Sequence, residues 1–424
     1  MDSPVRQLIR GTSGNILVKG TGLGVTFALS VLLARILGAE GYGRFAYVLS
    51  WAHLLSVPAV LGLDVLLTRE LARALQSEDC ARVRGLHRWA YTTVAATATV
   101  TALAYAAWAA YSTSTHPGPL IWAAALIPLL ALLKLHQGAL QGWGRPVLAQ
   151  IPLLLLWPAG TLALVLLGWL VGRLNVVAAL ADLLGSACLA TLAGAWLVWR
   201  SYRMLPGGRG HATRPRHWLV SALPLVSIAV FGMFNEQAGV LMLGLLSTPD
   251  HAGVFDMVRK LASLVPFVLL TTTAPLAPQI ARMHAAGDHA TLQRLLTRGT
   301  QLAFAGSLLV TALLLTLGPW LLRLLGPGFQ QGYTALALIC AAQIFNAAMG
   351  PVAVILNMAG YERDVLVALL LAAATHLITG VLLIPHIPLE GAALALGLNL
   401  LVWNALLGWR VRRRLGVTSW LRWG

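Results

Sequence analysis

The stretch VLAQIPLLLLWPAGTLALVLLGWLV, residues 147–171, contains no charged side chain, and only Gly172-Arg173-Leu174 separate it from a second apolar run over 175–200. A hydrocarbon slab about 30 Å thick needs about 20 residues of helix per crossing. Each run is therefore long enough to cross once, and a helix keeps its own backbone groups hydrogen-bonded in lipid. Working outward from this pair, the same pattern predicts helices at 12–36, 43–67, 89–112, 119–140, 147–171, 175–200, 218–246, 252–280, 299–322, 332–357, 364–385 and 389–411. The 424 residues are 58% hydrophobic and 10% charged, with a mean hydropathy of +0.77. No water-soluble core uses that much apolar sequence. The fold class is an all-α polytopic membrane protein with twelve transmembrane helices.

The formal net charge is +16, which in a soluble protein would suggest nucleic acid. Its distribution gives it another meaning. With the N-terminus inside, 23 of the 30 basic residues fall in cytoplasmic segments, among them Arg69, Arg73, Arg82, Arg84 and Arg88, then Arg200, Arg203, Arg209, Arg214 and Arg216. The outer segments hold four: Arg35, Arg44, Arg173 and Arg323. The positive-inside rule then places both termini of a multi-pass membrane protein in the cytoplasm. Nucleic acid is not an expected partner. The first apolar run is long enough to span and reads as an uncleaved anchor. Cys80 lies in a cytoplasmic loop, and Cys188 and Cys340 lie within helices. Neither a disulfide nor a metal site is expected from them, and no cofactor is implied.

The loop Arg200–Trp218 is the most polar connection and divides the helices six and six. The expected organisation is an N-terminal bundle at 1–202, a cytoplasmic linker at 203–217 and a C-terminal bundle at 218–424. At a constant offset of 210 residues, Gly43 and Phe45 fall on Gly253 and Phe255. Glu40 falls on Asp250, Glu78 on Asp288, and Arg84, Leu86 and Arg88 on Arg294, Leu296 and Arg298. Six crossings per half make the repeats parallel, related by a pseudo-twofold along the membrane normal. Two such bundles leave a cleft, which is transporter architecture. Prolines such as Pro58, Pro152, Pro158 and Pro266 interrupt the helices, and Gly20, Gly22 and Gly24 give the first helix a small face suited to close packing.

Ionisable groups inside a bilayer are costly and usually face an interior cavity. The set here is Lys19, Asp64, Asp182, Glu236, Asp256, Arg259 and Lys260. Asp256, Arg259 and Lys260 stand at i, i+3 and i+4 and share one helix face. One cation is neutralised by Asp256, and about one positive charge is left for a cavity. Snorkelling to the headgroups is the competing account for these cations and for Lys19. If Lys19, Arg259 and Lys260 do line a path, they suit a phosphate or pyrophosphate head, Arg through its fork and Lys as a point charge. Asn235, Glu236 and Gln237 are three polar residues in the seventh helix. Glu236 is a counter-ion for a neighbouring cation or a proton or sodium site. Asn346 joins Asn235 and Gln237 as polar cavity lining, with interhelical hydrogen bonding as the alternative; Asn357, Asn399, Asn404 and His376 read as interhelical hydrogen-bonding groups.

At this point several segments look familiar. Leu33-Ala34-Arg35-Ile36-Leu37-Gly38-Ala39-Glu40-Gly41-Tyr42-Gly43 resembles the R-x-L-G-x-x-x-Y-G segment of bacterial polysaccharide (O-antigen-type) flippases. So does the passage from Asn235 through Leu243-Gly244 to Ala252-Gly253-Val254-Phe255. Pro278-Gln279-Ile280-Ala281, Ala285-Ala286-Gly287-Asp288 and Leu356-Asn357-Met358-Ala359-Gly360 match further family segments. The resemblance covers nearly the whole chain. It implies membership of the multidrug/oligosaccharidyl-lipid/polysaccharide exporter superfamily and flipping of an undecaprenyl-pyrophosphate-linked oligosaccharide to the outer leaflet. Implied partners are that substrate, membrane lipids, H+ or Na+, and other glycan-assembly proteins. The family acid expected three residues after Asn235 is replaced by Ala238, and Glu236 is the nearest carboxylate.

Two rivals differ in class. A cation-coupled multidrug antiporter of the same superfamily would present carboxylates to its substrate, whereas the first helix holds Lys19 and no acid between Gly11 and Arg35. A membrane glycosyltransferase or O-antigen polymerase would need a sizeable outer loop, and every outer loop here is short. The expectation is a transporter, not an enzyme.

Overall fold

Helix α1 runs from Pro4 to Val60 and turns at Gly38, whose φ of 70° and ψ of −179° lie outside helical values. Only glycine adopts that backbone without strain. The apolar part, Leu17–Val60, has 44 residues, about 66 Å of helix at 1.5 Å each, which is two crossings and not one. The computed structural model describes residues 4–111, 117–205, 215–273 and 276–421, and among these every regular element is helical.

After a left-handed turn at Leu61-Gly62 comes α2 (Leu63–Gln76), then α3 (Cys80–Tyr111) and α4 (Pro117–Gly142). The quoted apolar stretch forms α5 (Pro146–Gln150), a π-helical turn at Ile151–Leu156 and α6 (Trp157–Leu170). Pro158 has no N–H to give Leu154, and the Leu154 carbonyl lies against Gly22, where a Cβ would collide with it. The glycine face of α1 is therefore used at one position: Gly20 and Gly24 meet nothing within 4 Å. α7 (Val176–Tyr202) and α8 (Pro215–Leu246) follow.

The predicted helix at 252–280 is broken in the structure into α9 (Pro249–Ala262), α10 (Leu264–Thr273) and α11 (Ala277–Ala286). Pro266 withholds a backbone donor just beyond the first break, at Ser263, and the Ser263 hydroxyl turns back to the Lys260 carbonyl at 2.6 Å. α12 (His289–Leu325) is longer than expected, starting at an Asp288 cap. The predicted helix at 332–357 is also split, into α13 (Tyr333–Met349) and α14 (Val352–Met358), because Gly350 has a φ of 73° and Pro351 follows it. α15 (Glu362–Leu383) and α16 (Pro388–Leu415) complete the chain. Ten helices are long and apolar enough to cross a membrane. Counting α1 as two crossings and α9–α10 as one broken crossing gives twelve among the described residues.

Packing divides the chain into two units: Met1–Leu37 with Val48–Met233, and Gly38–Tyr47 with Phe234–Gly424. The division falls inside α8, and most of the 203–217 segment lies outside the described residues. In the first unit α4 is central. Leu126, Ile127, Leu130 and Leu135 are fully buried, and Gly138 lets the α2 backbone at Asp64 come into contact. The Thr68 hydroxyl joins the two helices, 2.9 Å from both the Asp64 and Gly138 carbonyls. Glu70 is buried and fastens α2 to α3, taking Arg73 at 2.8 Å and Arg82 at 2.7 Å.

In the second unit, Ile280, Leu292, Leu296, Ile355, Leu356 and Leu407 form one core cluster. The least expected part of the second unit is the ten-residue segment Gly38–Tyr47, whose flanks belong to the first unit. Gly43 touches the Pro249 carbonyl and Gly253 touches the Ala39 carbonyl, with no room for a Cβ on either glycine. Residues 39 and 249, like 43 and 253, are 210 apart, so the contact is its own image under the repeat offset.

Candidate substrate site

The site is built on α9, whose first turn has Pro249 at a position where a missing N–H costs nothing. Asp256 sits two turns in, on the helix face that also meets Gly38–Tyr47. Its carboxylate is 5% exposed and holds two cations of its own helix: Arg259 Nη2 at 2.9 Å on one oxygen and Lys260 Nζ at 2.7 Å on the other. The Tyr42 hydroxyl closes the network. It donates to Asp256 Oδ2 at 2.6 Å and accepts from Lys260 Nζ at 2.8 Å. Tyr42 is 1% exposed, with Phe45 and Phe329 each 6.4 Å from it between ring centroids.

One carboxylate and two cations leave a net charge of about +1 on this face. Arg259 and Lys260 remain 26% and 24% exposed. The Arg259 Nε–H is buried and has no hydrogen-bond partner among the described residues. Such a donor is destabilising as it stands, and an anionic oxygen would satisfy it. The arrangement can bind one phosphate-like group through the guanidinium fork, while Asp256 holds both cations in place.

The structure brings Asp256, Arg259 and Lys260 together and adds Tyr42, which the sequence reading had placed only within a family segment. Tyr42 and Asp256 are 214 positions apart, so local spacing does not link them. Their proximity follows from the 210-residue offset, which sets residues 39–43 against 249–253. Lys19 is exposed on α1 in the first unit, with no hydrogen bond or ion pair among the described residues. Glu236 is exposed on α8 and also makes none. The carboxylate that pairs with the α9 cations is Asp256.

The polar residues of α8 and α13 are engaged between helices. Asn399 Nδ2 on α16 donates to Asn235 Oδ1 at 2.7 Å and to the Ala372 carbonyl on α15 at 2.8 Å. Asn404 Nδ2 donates to Asn346 Oδ1 at 2.9 Å, and Asn346 donates to Gln343 at 3.2 Å. These bonds tie α16 to α8, α15 and α13. Gln237 is buried, 9% exposed. His376 on α15 is 1% exposed, and neither ring nitrogen has a partner among the described residues.

A family model described as polysaccharide biosynthesis protein matches residues 8–284. Among solved structures, a multidrug-resistance MATE family transporter of the MOP superfamily, in its inward-facing conformation, superposes with a TM-score of 0.76 at 14% identity, covering 93% of this chain and 94% of that one. The lipid II flippase MurJ, inward closed, gives 0.72 at 10% identity over 94% and 87%. A MOP superfamily transporter from Pyrococcus furiosus, described as having a binding pocket of reverse polarity, gives 0.63 at 13% identity over 95% of each chain. No curated protein matches the sequence. At these identities the likeness is one of fold.

Proposed function

The chain belongs to the polysaccharide biosynthesis protein family, and from that membership we propose that it flips an undecaprenyl-pyrophosphate-linked oligosaccharide from the inner to the outer leaflet by alternating access. The fold is that of MOP-superfamily transporters and flippases, in a multi-pass membrane protein. The observation that carries the substrate class is the α9 network: a net positive, half-buried Arg–Lys pair with an unsatisfied guanidinium donor. Pyrophosphate supplies the acceptors this network lacks. A cationic drug would meet an Asp256 already neutralised twice over.

Asp256 and Tyr42 hold the two cations in the geometry that receives the phosphate. Arg259 provides the fork, and Lys260 exchanges part of its contact with Asp256 for the entering oxygen. The glycan travels as a passive load. Glu236, a carboxylate on α8 without an ion pair among the described residues, exchanges a proton or sodium ion during the cycle, and both termini lie in the cytoplasm of a bacterial inner-membrane protein. The direct test is the purified protein in vesicles loaded on one face with fluorescent lipid-linked oligosaccharide. Arg259→Ala is expected to lower flipping at least tenfold while the variant inserts and melts like wild type. Wild-type flipping by both Arg259→Ala and Lys260→Ala would remove the site from the reading.

A further inference from the structure

The 210-residue offset also aligns, in sequence, the ends of the last helix in each half. Trp199, Arg200 and Arg203, which close α7, fall on Trp409, Arg410 and Arg413, which close α16. In both places the indoles are half exposed: Trp196 and Trp199 are each 52% and Trp409 is 49% exposed. Guanidinium groups lie over them. Arg203 stands 4.6 Å from the Trp199 ring centre and Arg200 5.6 Å from that of Trp196. Arg410 and Arg413 stand 4.9 and 5.2 Å from that of Trp409. A guanidinium stacked on an indole keeps its N–H edges pointing outward, and the stack holds it without using those donors.

The charges of these stacks are not balanced by protein. Among the described residues no carboxylate pairs with Arg200, Arg203, Arg412 or Arg413, while Arg410 and Arg414 share Asp364 at 3.3 and 3.2 Å. The α7 end therefore carries about +2 and the α16 end, with Arg410, Arg412, Arg413, Arg414 and Asp364, about +3. Both helices are apolar enough to cross the membrane and end at these stacks. Indole rings settle at the headgroup level. Arginine forks match phosphate oxygens. The helix-dipole account of basic last turns explains the charge but not the exposed indoles beneath it.

We propose that the ends of α7 and α16 are two repeat-related binding sites for the phosphate headgroups of anionic phospholipids, each made of a lipid-facing indole and the arginine stacked on it. The α16 site, with the larger charge, binds more tightly. Neither site involves the α9 network, so the inference stands apart from the transport reading.

The test is native mass spectrometry of the full chain, delipidated in detergent and titrated with phosphatidylglycerol or phosphatidylcholine. Wild type is expected to retain two phosphatidylglycerol molecules in preference to phosphatidylcholine. Arg203→Gln and Arg413→Gln should each weaken one of them about fivefold, the effect of one basic residue near an anionic surface. The double variant should weaken both by that factor and narrow the preference accordingly, and Arg203→Lys should weaken its site less than Arg203→Gln does. Equal retention of the two lipids by wild type, or unchanged phosphatidylglycerol retention by the double variant, would overturn the proposal. These side chains lie on the surface, so both variants are expected to melt like wild type in phosphatidylcholine.

Discussion

At the α9 network, three side chains do different work and their losses should be distinguishable. Asp256 is buried and holds two cations. Asp256→Ala removes the carboxylate from both cations and is expected to cost about 3 kcal/mol, within the usual range for breaking a buried pair, read as a lower melting temperature and poor insertion. Tyr42→Phe removes one donor and one acceptor and should cost about 1–2 kcal/mol. Arg259→Gln keeps most of the packing, so melting should change little while flipping fails; a large drop in melting temperature would show the residue to be structural. Glu236 makes no ion pair among the described residues, so Glu236→Gln should leave stability unchanged. If the residue carries the coupling ion, the same variant abolishes gradient-driven flipping but not substrate binding, and full gradient-driven flipping by it would remove Glu236 from the cycle.

Element boundaries depend on single backbone positions. Gly43 and Gly253 have no space for a Cβ, so Gly43→Ala must push the Gly38–Tyr47 segment off α9. A loss of about 1–3 kcal/mol is expected, as for other overpacking. Gly20 has open space around it, and Gly20→Ala should be neutral or stabilise by up to about 1 kcal/mol; equal losses at the two sites would contradict the packing described. Asp288 caps α12 by accepting the Thr291 N–H at 2.9 Å. That bond holds its carboxyl below the usual range for an aspartate. A depressed value means the contribution is present above the unfolded pKa and is lost as pH falls through the folded one. Asp288→Asn should therefore flatten the acid limb of a stability–pH curve and leave the neutral region nearly unchanged. In the other half the equivalent cap is Asp79, which accepts the Arg82 N–H at 2.9 Å. The 210-residue alignment set Glu78, one residue earlier, against Asp288, so the caps are conserved in role but one position out of register.

For the whole molecule, twelve crossings with basic residues divided 23 to 4 predict that a cysteine at position 82 is labelled only from the cytoplasmic side and one at 328 only from outside. Labelling of both from one side would break the topology and the crossing count together; Thr115 and Arg209, equally useful by sequence, lie outside the described residues. The apolar runs, the positive-inside bias and the i, i+3, i+4 spacing of Asp256, Arg259 and Lys260 were legible because each is local: a helix crosses lipid by its own hydropathy, and neighbours on one face need no tertiary information. The breaks at Ser263 and Gly350 were less legible. Their prolines and glycine are visible, but in a membrane such residues also occur within unbroken helices, and packing decides which outcome holds. The packing of Gly38–Tyr47 with the second unit and the partnership of Tyr42 with Asp256 were decided by tertiary structure alone. A hydrogen bond between residues 214 positions apart leaves no trace in local periodicity, because it depends on two glycines allowing backbones to touch.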